Sequence, residues 1–192
     1  VKLHEGIDAR MRAFLLDAPM FFVGTAPLSA EGHVNVSPKG LRGTFAVLGE
    51  HRVAYFDHTG SGAETIAHLR ENGRIVLMFC AFTGPPNIVR LHGRGTPVLP
   101  GEPTFAELAA YFPAEPGRGV RAIVDIAVER VSDSCGFAVP LLEYAGDRDL
   151  LDRWTERKSD EQLRAYRAKK NAASIDDLPA LPPAQGPAQP TP

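Results

Sequence analysis

Cysteine is nearly absent: Cys80 and Cys135 are the only two in 192 residues. Two thiols make neither a disulfide framework nor a four-ligand zinc site, and a reducing cytoplasm is the expected compartment. Long apolar runs are lacking as well. The longest, such as 75–82, fall far short of the roughly 20 residues that cross a bilayer, so no membrane contact is expected. Asp8, Arg10, Arg12 and Asp17 interrupt the first twenty residues and leave no apolar signal core. An excess of basic charge is missing too. The 21 Lys and Arg against 23 Asp and Glu give a net charge of −2, so nucleic acid is not an expected partner. The six histidines, at 4, 33, 51, 58, 68 and 92, show no H-x-x-x-H spacing, and no metal is expected. Neither the Gly-Lys-Ser/Thr ending of a Walker loop nor the three spaced glycines of a dinucleotide fingerprint occurs.

What is present fits a globular chain, with 44% hydrophobic and 23% charged residues. Ile7, Met11, Phe14 and Leu15 recur at helical spacing ahead of Pro19. Short extended runs follow: 20–25, 33–37, and a hairpin of 44–48 with 52–56 around Gly49-Glu50-His51. A short helix is expected within 60–73, stopped by Gly73. The strand over 74–82 is apolar on both faces and needs a cover on each side: a helix, the far wall of a barrel or a second subunit. Further strands are expected over 88–98 and 120–128, with a helix over 103–112 between them. Val120, Ala122, Val124, Ile126 and Val128 alternate with Arg121, Asp125 and Glu129, which reads as a half-buried antiparallel strand. One charged helix is expected over about 149–170. Hairpin-linked strands with short interposed helices exclude the alternating rhythm of a Rossmann fold, and a mainly β antiparallel barrel with packed helices is expected. The expected organisation is a barrel domain over 1–146, a helical extension over 147–178 and a disordered Pro-rich tail over 179–192.

Three stretches gather polar groups and glycine beside strands: 35–43, 57–65 and 132–140. In the second, "DHTGSGAET", a strand gives way through glycines to a helix. Free N–H groups at such a start, with the Ser61 and Thr65 hydroxyls, suit a phosphate. The competing reading is a plain capping box, Ser61 with Glu64. Lys39 and Arg42 offer positive charge, and Arg90, His92 and Arg94 share one strand face. His58 is a candidate acid or base by its titration range. Cys135 has no neighbour in sequence whose charge would depress its pKa, and it reads as a packed small hydrophobe. Trp154, the single tryptophan, reads as helix packing or as a cover for a flat cofactor.

In order, "HVNVSPKG", "VAYFDHTGSGAETIAHLRENGRIVLMF" and "IVRLHGRGTPV" resemble the pyridoxamine 5′-phosphate oxidase-like family of flavin-binding split barrels, from about residue 7 to 139. The resemblance implies a six-stranded antiparallel split barrel and a homodimer with FMN at its interface, acting on a small-molecule substrate. It implies cofactor contacts from Val36, Ser37, Pro38, Lys39 and Gly40 along the ring. It also implies contacts from Phe56, Asp57, Ser61, Gly62, Glu64 and Thr65 at the strand and phosphate turn, with Arg90 and Trp154 completing the set. Lys39 is expected to stabilise negative charge on the reduced ring.

One departure stands out. The oxidases proper place Ser-Arg-Lys in the phosphate turn, whereas this chain has Ser61-Gly62-Ala63 followed by Glu64. Phosphate binding is then expected to rest on helix N–H groups, Ser61 and Thr65, with Arg70 or Arg90 in support. The oxidases' arginine-containing C-terminal end has no counterpart, so pyridoxamine phosphate is not carried over as substrate. An FMN-dependent oxidoreductase is the leading expectation. The alternatives are a non-catalytic flavin or heme module, or a deazaflavin-dependent reductase whose cofactor tail would meet Lys39, Arg42 and Lys158.

Overall fold

Every strand pair in the computed structural model, which describes residues 1–182, is antiparallel. The elements in chain order are β1 (Lys2–His4), α1 (Ala9–Asp17), β2 (Phe21–Thr25), β3 (Asn35–Lys39), β4 (Phe45–Gly49) and β5 (Arg52–His58). They continue with α2 (Glu64–Asn72), β6 (Arg74–Cys80), β7 (Ile88–Val98), α3 (Pro103–Ala109), β8 (Val120–Ser134), α4 (Leu150–Glu156) and α5 (Asp160–Lys170). The strands form one sheet in the order β3-β2-β6-β7-β8-β5-β4, with β1 added on β8. The mainly β fold therefore stands, with eight strands where six are expected. β1 is too short to leave a periodic signal, and pairs Lys2 with Asp133 through His4 with Val131. β8 accommodates it by its length of 15 residues: β7 runs along one edge, while β5 (along 120–127) and β1 (along 131–133) share the other.

Residues of period two fill the concave side of the curled sheet. Val23, Tyr55, Leu77, Phe79, Leu91, Val124 and Ile126 are fully buried there, and Met11 and Leu15 of α1 plug one end. Phe21 lies 5.0–5.5 Å from the rings of Phe45, Tyr55 and Phe79, an aromatic cluster joining β2, β4, β5 and β6. Asp8 starts α1 by accepting from Met11 N at 2.7 Å.

Outside the barrel, two smaller cores depart from the expected pattern. β8 is not half-exposed over its first turn of alternation. Arg121 and Ile123 are buried, Ile123 beneath a cluster with Leu108 of α3 and Phe112. The charged helix over 149–170 is two helices. Ser159 breaks it and starts α5 with a full capping box to Gln162. The start of the expected disordered tail is ordered: Ala173 pairs with Pro179, and Ala180 is buried against Ala63, Ile66 and Ala122. Its apolar side chains reach a ready-made surface on α2 and need no core of their own. Residues 183–192 of that tail lie outside the described residues.

The outer face of β6 keeps Val76 and Met78 half-buried, in rows with Phe22 and Pro38 on one side and Arg90 and His92 on the other. Near the middle of β7 the ladder bulges against β8, and a Cβ on Gly93 would sit 2.0 Å from Ala127 O.

Candidate functional site

β3 and β4 are the two ends of the sheet, yet only residues 40–44 join them. So short a link forces the ends together. Leu41 (φ 70°) and Gly43 (φ 83°) take the left-handed turn this needs. Lys39, at the end of β3, then reaches across to β5, and its Nζ donates to Asp57 Oδ1 at 2.7 Å. The second oxygen of Asp57 accepts from Arg121 Nε at 2.8 Å, and Arg121 Nη1 donates to Gly62 O at 2.7 Å. Asp57 is wholly buried. Burial alone would push its carboxyl up, but the Lys39 and Arg121 charges and hydrogen bonds outweigh it and hold the pKa below the usual 3.8.

A cavity of about 710 Å³ opens beside Lys39. Pro38, Gly40, Phe56 and His58 line it from the barrel, and Phe82, Tyr144, Leu150 and Leu151 from the other side. Its size and its largely apolar wall, into which Lys39, Glu143, Asp147 and Arg148 bring charge, suit a flat organic ligand. His58 has no hydrogen-bond partner among the described residues. Burial lowers its pKa below 6.5, so it faces the cavity as a neutral imidazole at pH 7.

The opposite end of β3 meets the turn before α2. Asn35 Nδ2 donates to Thr65 Oγ1 and to Thr25 Oγ1, each at 3.1 Å, and Ser37 Oγ donates to Asn35 Oδ1 at 3.1 Å. Thr25 also contacts Nδ1 of the fully buried His68 at 3.0 Å. The capping box expected of Ser61 and Glu64 is not formed. The N-cap is Ala63, Ser61 stays exposed, and the Glu64 carboxylate accepts Ile175 N instead. Two glycines flanking Ser61 carry the chain past it before the helix begins.

The C-terminal residues form a strap over this turn. Arg167 Nε donates to Thr59 Oγ1 at 2.9 Å, and Asn171 Nδ2 donates to Gly60 O at 2.9 Å. Asp176 takes both the N–H and the ring of His33, at 2.8 and 2.7 Å.

The structure thus gathers Pro38, Lys39, Gly40, Phe56 and Asp57 at one end of β3, and Ser61, Gly62, Glu64 and Thr65 at the other. Val36, exposed on the sheet edge, lies between them. Two expected residues stand apart. Arg90 lies three strands from Pro38 across the sheet, about 14 Å, and donates to Ser134 Oγ. Trp154 packs edge-on against Tyr166 at 4.8 Å with Lys158 over its ring, outside the cavity lining. Arg70 also leaves the turn and faces a different cavity. Cys135 is exposed, not packed; the buried thiol is Cys80, whose pKa burial raises. Sequence reasoning missed Asn35, Arg121 and Asn171. Nothing in the alternating run 120–128 marks Arg121 as more than a solvent-facing cation; its role comes from Asp57, 64 residues away.

Comparison with known proteins places the chain in a family and a fold. The family profile described as pyridoxamine 5′-phosphate oxidase matches residues 7–135. Over 192 aligned positions the chain is 38% identical to the pyridoxamine 5′-phosphate oxidase family protein ustO of Aspergillus flavus, covering 93% of this chain and 77% of that protein. Its fold is similar to HupZ of Group A Streptococcus. One HupZ structure gives a TM-score of 0.54 at 20% identity, covering 67% of this chain and 99% of that one. A second gives 0.53 at 20% identity, covering 66% and 93%.

Proposed function

The chain belongs to the pyridoxamine 5′-phosphate oxidase family, and from that premise we propose that it is an FMN-dependent oxidoreductase for a small organic substrate, working as a homodimer. One observation carries this reading: the 710 Å³ apolar cavity opens beside the Lys39–Asp57 ion pair at the free edge of β3. From Asn35 to Lys39 that edge runs about 13 Å, room for an extended ligand with a ring at one end and an anion at the other. The ring end fits well. Phe56, Phe82 and Leu151 supply apolar wall, while Lys39, His58, Glu143, Asp147 and Arg148 supply the polar contacts.

The anionic end fits by hydrogen bonding alone. Ser61, Thr65 and the first N–H groups of α2 are the donors, and Glu64 is the only charged side chain in the turn. When bound, the flavin supplies the electron transfer. Asp57, itself fixed by Arg121, holds the Lys39 ammonium in place beside the cavity, where it offers positive charge to a reduced ring. Neutral His58 accepts a proton at its unprotonated ring nitrogen.

The second subunit covers the outer face of β6, where Val76, Met78 and Phe22 lie half-buried beside exposed Val36. The test is the absorbance spectrum of the purified protein, with mass analysis of the released cofactor and reduction by NADPH. Flavin bands bleached by NADPH support the reading. A Soret band, or colourless protein that takes up no added FMN, overturns it.

A further inference from the structure

Behind the cofactor cleft lies a second cavity of about 620 Å³ whose polar lining is almost all guanidinium. Arg121 of β8 lies at its buried floor, Arg70 comes from α2, and Arg164 and Arg167 come from α5. Glu102 is the one acidic residue in the lining, and its Oε1 already accepts Leu99 N at 3.0 Å.

These charges are poorly compensated. Arg121 is paired with Asp57. Half-buried Arg167 spends its hydrogen bonds on neutral oxygens: Thr59 Oγ1, Arg118 O and Val120 O. Arg70 and Arg164 form no ion pair among the described residues. On α5, Asp160 is held by Arg118 at 2.6 Å, and Glu161 is not in the cavity lining. Setting Asp57 and Glu102 against the four arginines leaves a surplus of two positive charges. Residues 183–192, "PAQGPAQPTP", carry no acidic side chain to offset it. Burial, and after it the neighbouring Arg121 charge, lower the pKa of Arg167, with Asp160 acting the other way.

We propose that this cavity is a binding site for a small organic phosphate, separate from the cofactor cleft. Two surplus charges match a phosphate monoester dianion, and guanidinium forks bind its oxygens in pairs. The volume exceeds what a bare phosphate fills. Leu99, Pro100, Leu181 and Pro182 give the ligand's organic body an apolar wall. Arg121 is shared between the two sites through Asp57, so they adjoin but do not overlap.

The test uses the purified protein with its cofactor content recorded, and phenyl phosphate as the probe. At about ten times its dissociation constant the probe should raise the melting temperature by about 4 °C. Chloride at matched ionic strength, and phenol, should not. Arg164→Gln and Arg70→Gln, both at exposed positions, should melt no lower than the parent without probe and lose most of the response. Flavin content should not change. An equal rise with chloride would overturn the proposal. So would a full response in the double variant, or release of flavin by the probe, which would put the anion in the turn before α2. Loss of flavin binding with the arginine-dependent response intact would count against the proposed oxidoreductase alone.

Discussion

Lys39 sits on end strand β3 and Asp57 on β5, next to the opposite end strand β4, and their 2.7 Å ion pair ties the two ends of the curled sheet together beside the cavity. Lys39→Met keeps the length of the side chain and removes its charge, leaving wholly buried Asp57 with Arg121 alone. The expected cost is about 2–3 kcal/mol of folding stability, read by urea unfolding. FMN retention should fall tenfold or more, read by fluorescence titration. Unchanged values in both measurements would remove Lys39 from the site.

Acid should weaken the fold in two stages. Burial lowers the pKa values of His58, His68 and His92 from 6.5, so each favours the folded state while neutral. That contribution is complete above pH 6.5 and is lost as pH falls through the folded-state values. Asp57 is also lowered, from 3.8, and its contribution disappears only at still lower pH. Melting temperature measured from about pH 7.5 to about pH 2 should decline in this order. A flat profile down to pH 4 contradicts the burial of the three imidazoles.

Gly93 leaves no room for a methyl group, because the added carbon would meet the Ala127 carbonyl oxygen at 2.0 Å. Backbone cannot yield as a flexible side chain does. Gly93→Ala should cost about 2–4 kcal/mol and lower the melting temperature by roughly 10 °C.

The turn before α2 makes a pair of opposite predictions. Ser61→Ala removes a hydroxyl donor and should weaken FMN binding by about 1 kcal/mol or more. Glu64→Gln removes a negative charge beside the same anion and should strengthen it, in low salt above all. Isothermal titration in about 20 mM and about 300 mM salt, where the Debye length is about 20 Å and about 6 Å, separates charge from packing. Opposite signs for both variants would place the phosphate elsewhere.

A second subunit on the outer face of β6 predicts a dimer by light scattering. Met78→Lys should shift the population to monomer and loosen flavin, while the barrel interior stays intact, since Met78 points away from it. A monomeric parent protein removes the homodimer from the proposal.

Much of the barrel was legible because its strands carry period-two signals and its turns carry glycine. β7 begins and ends where "IVRLHGRGTPV" does, and α2 ends at Gly73 in the left-handed conformation. What stayed hidden depends on contacts distant in sequence. Three residues of β1 have no period to detect. Ser159 splits the last helix by a cap that the surrounding charge pattern obscures. At the site, Lys39 and the turn residues could be picked out by composition. Asn35, Arg121 and Asn171 could not, because their importance comes from partners 30, 64 and 111 residues away. Trp154 attracted attention by rarity, and its ring is satisfied by Tyr166.

The strap also sets an order of events during synthesis. Arg167 and Asn171 latch onto Thr59 and Gly60, made 108 and 111 residues earlier. A nascent chain therefore completes its barrel strands with Thr59 and Gly62 already bonded to Gly119 and Arg121, and the Gly60 carbonyl between them is fastened only when α5 and Asn171 clear the ribosome. Early in sequence and late in time, it is the last piece of the barrel's rim to set.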